Sequence, residues 1–207
     1  MLPSGTASDP TPAAASATRQ TLLEAATAEF VAFGYRRSSM ESVARRAGLS
    51  RATLYLYWSS KEQLVRSLVE ALHEEHLSAM REAIERRHGD TAQQLAAVLE
   101  ARFARFVALT ASSPNAAELY DVHDRVCGDI AAAANARATA LIEELVDALV
   151  SEGRVSLSRS GLGVTETVSV LTLCGEAAKG ENRDATPTQF HDNLDRIVRM
   201  LVQGLGA

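Results

Sequence analysis

GLSRATLYLYWSSKE, residues 48–62, crowds Arg51, Thr53, Tyr55, Leu56, Tyr57 and Trp58 onto one short segment between a glycine and a lysine. Gly48 permits a sharp turn and Ser50 is an N-cap residue. Leu49 and Leu54 stand at the N′ and N4 positions of a hydrophobic staple. The pattern predicts a helix from Arg51 to Tyr57. At 100° per residue, Leu54 and Trp58 fall on one side of it, and Ala52 and Leu56 on the other, flanked by Thr53 and Tyr55. Seven residues do not hold a helix in water, so Leu54 and Trp58 read as anchors to a core and the opposite face as one offered to a partner. Ala52 lets a surface come close, Leu56 is apolar with no core to enter, and Arg51, Thr53, Tyr55 and Tyr57 surround it with hydrogen-bonding groups. That mixture suits the major groove of double-stranded DNA, where phosphates take polar contacts and thymine methyls take apolar ones.

The flanking sequence supports a helix-turn-helix. Leu22, Ala26, Phe30 and Phe33 mark one face of a helix beginning near Thr18 and ending at Gly34. Ser38 and Glu41 have capping-box spacing ahead of Met40, Val43, Ala44 and Ala47, which predicts a short second helix up to Gly48. Ser60 with Gln63, or Ser59 with Glu62, caps a long fourth helix running from Lys61 to about Arg87. Lys61 in the first turn of that helix, beside free backbone N–H groups, reads as a phosphate clamp. Charge agrees. Residues 18–66 hold eight Lys and Arg against four Glu, a net of +4, so with -5 overall the remainder carries -9. A basic lobe on an acidic body fits a DNA-binding module joined to an effector domain.

The run from Arg19 to Leu64 resembles the N-terminal DNA-binding domain of the TetR/AcrR family of bacterial transcriptional repressors. The pattern A-x-x-A-G-[LV]-S-x-x-T-L-Y-x-Y-[FW]-x-S-K-E is met by Ala44, Ala47, Gly48, Leu49, Ser50, Thr53, Leu54, Tyr55, Tyr57, Trp58, Ser60, Lys61 and Glu62, with Trp58 where Phe is commoner. The resemblance implies that the third helix enters the major groove. It carries DNA contact to Ser39, Arg51, Ala52, Thr53, Tyr55, Leu56, Tyr57 and Lys61. It also implies a helical body with a small-molecule effector pocket, a homodimer built by the last two helices, and release from a palindromic operator. A similar DNA-binding protein with no small-molecule inducer is the alternative.

Abundant alanine, 5% aromatic residues and few Gly or Pro away from the ends predict an all-α protein. The expected parts are a tail over residues 1–17, an N-terminal three-helix helix-turn-helix domain over 18–66, and a C-terminal helical ligand-binding and dimerisation domain over 67–207. In the body, helices are predicted over about 91–111, 116–126, 129–152, 164–178 and 188–205. Val168, Leu171, Phe190, Leu194, Ile197, Leu201 and Leu205 form apolar stripes on the last two, expected to face a second copy. Phe103, Phe106, Leu119, Tyr120, His123, Cys127 and Cys174 are the pocket candidates, with ordinary core as the plainer reading of each. His123 between Asp121 and Asp124 is suited to a polar or cationic ligand group, with a solvated helix face as the plainer reading. His73 and His76, at i and i+3, have a spacing open to metal, but with Glu74, Glu75 and Arg81 around them a metal site is not the expected reading, and no metal or cofactor is expected. Cys127 and Cys174 make no CxxC pair and read as buried free thiols of a cytoplasmic protein. No apolar run approaches a membrane span, and the first residues lack a basic start and an apolar block, so neither insertion nor secretion is expected. Phosphate-loop, GxSxG and HExxH patterns do not occur, which sets an enzyme reading aside.

Overall fold

The computed structural model describes residues 11–204 except 88, 112 and 182. Among the described residues there are eight α-helices and a short 3-10 turn, Leu157–Arg159. The chain divides into two compact units, Met1–Leu68 and Val69–Ala207. The helix α4, Lys61–Glu85, runs from one into the other without a break.

In the first unit, α1 spans Pro12–Phe33, α2 Met40–Arg46 and α3 Arg51–Tyr57. The predicted tail is therefore helix from residue 12 onward, while residues 1–10 lie outside the described residues. Thr11 is the N-cap and accepts from the Ala14 N–H, and Pro12 occupies the first turn, where its missing N–H costs nothing. Leu22, Ala26 and Phe30 are buried as the periodicity requires, but Phe33 at the end of α1 is 48% exposed, its ring beneath the Arg46 guanidinium. Met40, Val43 and Ala44 of α2 and Leu54 and Trp58 of the α3 segment complete this core with Leu64 and Val65 of α4. Gly48 turns α2 into α3 at φ +68, a left-handed conformation that an L side chain resists, and a Cβ there would meet nothing within 4 Å. The glycine serves the backbone rather than the packing.

One cap differs from expectation, and another takes one of two expected forms. Ser39, not Ser38, caps α2, exchanging bonds with Ser42, whereas Ser38 is buried and donates its hydroxyl to the Gly34 carbonyl at 2.6 Å. For α4, Ser60 accepts from the Gln63 N–H and the Gln63 side chain accepts from the Ser59 N–H, so the Ser60 and Gln63 alternative is the one formed.

In the second unit, α5 (Thr91–Ala111), α6 (Ala116–Ser151), α7 (Val164–Ala178) and α8 (Pro187–Gly204) pack with the later turns of α4 around one core. Leu77 and Met80 of α4, Leu99 and Phe103 of α5, Ile142 and Leu149 of α6, Leu171 of α7 and Phe190 and Leu194 of α8 all lie in it. The two helices expected over 116–126 and 129–152 are both present and meet at a kink at Cys127, whose φ of -122 and ψ of 15 leave the helical region just before Gly128, so that no loop separates the two arms of α6. Val168, Leu171, Phe190 and Leu194, expected on an outward stripe, are 2% exposed or less and belong to this internal core. The stripe was real, but its partners lie within the same chain: α8 packs on α5 and α7, and α7 packs on α8, α6 and α5. Leu205 lies outside the described residues. No helix among the described residues is long and apolar enough to cross a membrane.

Candidate nucleic-acid interface and candidate ligand cavity

The exposed face of α3 is built by what the opposite face buries. Leu54 is fully buried and Trp58 is 4% exposed, its ring under the Arg19 guanidinium, and this fixes the rotation of the helix. Leu56 is then 83% exposed and Tyr55 40% exposed, with Ala52 and Arg51 also in solvent. Ser50 accepts from the Thr53 N–H at 3.0 Å, and its hydroxyl meets that of Thr53 at 2.8 Å. The Arg51 guanidinium lies over the Tyr55 ring and donates to the phenol oxygen at 3.4 Å, a contact that raises its pKa. Ser39, exposed at the start of α2, lies in the same unit.

Two of the expected contacts have internal work as well. The half-buried Tyr57 donates its hydroxyl to the Ala15 carbonyl at 3.1 Å, tying α3 to the first turns of α1. The Lys61 ammonium donates to the carbonyls of Tyr35 at 2.8 Å and Ser38 at 2.9 Å and sits 4.2 Å from the centre of the Tyr35 ring. It closes the loop between α1 and α2. Arg46 pairs at 2.7 Å with the buried Glu29, holding α2 to α1.

The second unit contains a cavity of about 260 Å³. Its wall is made by Val69, Leu72, His73 and His76 of α4, Arg102, Phe103, Arg105 and Phe106 of α5, Tyr120, His123, Asp124 and Asn135 of α6, and Glu176, Lys179 and Arg183 at and beyond the end of α7. The residues of α6 come from both sides of the Cys127 kink. Phe106 meets Tyr120 edge to face, with ring centres 4.8 Å apart, and packs on His123 at 5.5 Å. The Nε2 atoms of His123 and His73 are 3.4 Å apart. Phe103 carries the Arg102 guanidinium and the Lys179 ammonium on its ring, at 5.2 and 4.5 Å from its centre. Gly175 makes room for that ring, since a Cβ there would come within 2.2 Å of it.

Electrostatics set the character of the wall. Burial, with His123 nearby, holds the His73 imidazole down to about 4, and burial, with His73 nearby, does the same to His76. Both are neutral at pH 7. The buried Nδ1 of His73 and Nε2 of His76 have no hydrogen-bond partner among the described residues. Burial lowers the pKa of Arg102 and of Lys179 against a contrary pull from Glu176. Among the described residues no group of three or more His, Cys, Asp or Glu side chains is placed to hold a metal ion.

Of the seven pocket candidates, Phe103, Phe106, Tyr120 and His123 line this cavity. Leu119 and Cys174 are half-buried away from its wall, and Cys127 is fully buried at the kink. Arg102 was missed, although its position announces it: Leu95, Val98, Leu99, Arg102, Phe103 and Phe106 fall at i, i+3, i+4, i+7, i+8 and i+11, so a cation stands on an apolar stripe. The surroundings of His123 are also more basic than its two aspartate neighbours suggest.

Residues 22–68 match the family described as bacterial regulatory proteins, tetR family. The chain is 33% identical over 87 residues to YhgD, an uncharacterized HTH-type transcriptional regulator of Bacillus subtilis (strain 168). That match spans 41% of this chain and 46% of the relative, so the chain covers less than half the length of the curated protein it resembles. Solved structures share the fold along nearly the whole length. A TetR transcription regulator from Haloarcula marismortui ATCC 43049 superimposes with a TM-score of 0.72 at 12% identity, over 92% of this chain and 98% of that one. The transcriptional regulator FadR from Bacillus subtilis, solved in complex with stearoyl-CoA, gives 0.60 at 16% identity, over 89% and 98%.

Proposed function

We propose that this chain, whose residues 22–68 match the tetR family of bacterial regulatory proteins, is a transcriptional repressor that binds a palindromic operator in double-stranded DNA and is released by a small-molecule effector. The observation that carries the DNA half is the outer face of α3. Leu56 at 83% exposure, beside Ala52, Thr53 and Tyr55, is held outward by the burial of Leu54 and Trp58. A leucine left this wet at the centre of a polar face suits contact with thymine methyls, while Arg51, Tyr55 and Ser39 suit phosphates.

One helix-turn-helix has a small footprint, so the reading includes a two-fold dimer whose recognition helices lie ~34–36 Å apart, one turn of DNA. The surface proposed for the contact is the outward side of α7 and α8. Leu173 and Met200 are 67% and 74% exposed there, with Ile197 and Leu201 half-buried near Met200 on α8.

The cavity supports the effector half, as does the ligand held by the FadR structure, stearoyl-CoA. Val69, Leu72, His73 and His76 of α4 form one of its walls, and the first turn of the same helix holds the loop between α1 and α2 through Lys61. A ligand that favours one setting of α4 therefore biases the DNA-binding unit through a single continuous element. The expected coupling is about 1–3 kcal/mol, and operator must weaken the ligand by the same factor by which ligand weakens operator.

The test is selection of a preferred site from random duplexes with the full chain, then comparison of variants. Thr53→Ala and Leu56→Ala are expected to change base preference. Tyr55→Ala is expected to weaken binding to all sequences, with a log-log salt slope lowered by about 0.9 if one phosphate contact goes. Unaltered base preference in both of the first two variants would overturn the assignment of α3.

A further inference from the structure

We infer that the effector is an aromatic carboxylate of one or two rings whose carboxylate becomes the counter-charge of Arg102. This rests on the cavity being the effector site proposed above.

Arg102 is 8% exposed, and its guanidinium has two neutral partners, Thr172 Oγ1 and Asn135 Oδ1, each at 3.3 Å. Among the described residues it forms no ion pair within 4.0 Å. Guanidinium has five N–H donors in a fixed fork, and buried charges are ordinarily paired, so a cation left with two long neutral bonds in a cavity wall is a half-built anion site. The wall as a whole agrees. It carries Arg102, Arg105, Lys179 and Arg183 against Glu176 and Asp124. Glu176 is engaged by Lys179 at 2.8 and 2.9 Å, and Arg105 pairs with Glu75 at 3.4 Å, which leaves Arg102 as the buried cation open to a ligand. His73 and His76 are neutral at pH 7 and do not compete for the anion.

The rest of the molecule is set by shape. Phe106 and Tyr120 meet edge to face, and Phe103 and the imidazoles continue the aromatic surface, so a flat apolar body finds ring faces and edges on more than one side. An apolar cavity of roughly 150 Å³ takes one benzene, so about 260 Å³ admits a single substituted ring or two fused ones.

Full-length protein titrated calorimetrically with benzoate, 2-naphthoate, their primary amides and inorganic phosphate tests the inference. Each acid is expected to bind about tenfold or more tightly than its amide, the difference a charge-assisted hydrogen bond makes. Arg102→Met, its folding checked by circular dichroism, is expected to lose that preference, and Arg102→Lys to keep part of it. Amides that bind as well as acids, acids that bind Arg102→Met undiminished, phosphate that binds as well as naphthoate, or no acid binding at millimolar concentration would each overturn it. The underlying reading fails differently. A neutral amide that binds and releases operator keeps the cavity as effector site and removes only the anion. An acid that binds through Arg102 while operator affinity stays unchanged keeps the anion site and removes the effector role.

Discussion

Leu56 and Lys61 are five residues apart in one motif, yet their physical situations are opposite. Leu56 lies in water and can gain only from a partner, so Leu56→Ala should leave stability unchanged within about 0.5 kcal/mol, as ordinary surface changes do. Its cost should fall on the preferred operator, with affinity reduced more there than on scrambled duplex, measured by fluorescence anisotropy. Lys61 is already bonded to two carbonyls and an aromatic face. Lys61→Ala should therefore reduce the free energy of unfolding by about 1.5–3 kcal/mol for the charged bonds lost, seen as a lower denaturant midpoint, together with any loss of DNA affinity. Equal midpoints for wild type and Lys61→Ala would return Lys61 to a purely external role. The outward turn of Leu56 was legible because a seven-residue helix with two large apolar residues at i and i+4 has one way to face a core. The carbonyls under Lys61 were not, since they belong to a loop 23 and 26 residues away whose path no local periodicity encodes.

At the scale of elements, α4 carries two imidazoles that the fold keeps neutral. With unfolded values near 6.5 and folded values of about 4, the unfolded chain binds more protons between those limits. Stability is then full above pH 6.5 and falls as pH drops toward 4. His73→Phe with His76→Gln should flatten that part of a melting-temperature profile. On α7 and α8, Leu173→Glu with Met200→Glu should shift sedimentation toward a single chain while leaving the melting of the internal core in place, because neither side chain enters it. The limits of α5 and α7 followed the periodicity of their sequences. The inward or outward sense of the α8 stripe did not, since Phe190, Leu194 and Leu201 mark an apolar face whichever protein surface covers it. At Cys127 the sequence suggested two helices with a gap, and the chain breaks there as a kink between two helical arms rather than as a loop. The bend brings His123 and Asn135 to the same cavity.

For the whole molecule, net charge of -5 conceals a first unit rich in arginine, and duplex binding should fall steeply with salt, by a log-log slope of about -0.9 for each phosphate neutralised. A slope near zero across 50–200 mM salt would remove the phosphate contacts. Arg102 bears on a different property of the molecule. A guanidinium enclosed with two neutral partners is a weak point of the empty chain, and an anion that completes it binds the folded form alone. Proteases in a cell draw on the unfolded fraction, so the unliganded chain should be degraded sooner than the occupied one. The steady amount of this protein would then rise with its own ligand, and a pulse-chase half-life longer in the presence of a bound acid would reveal it.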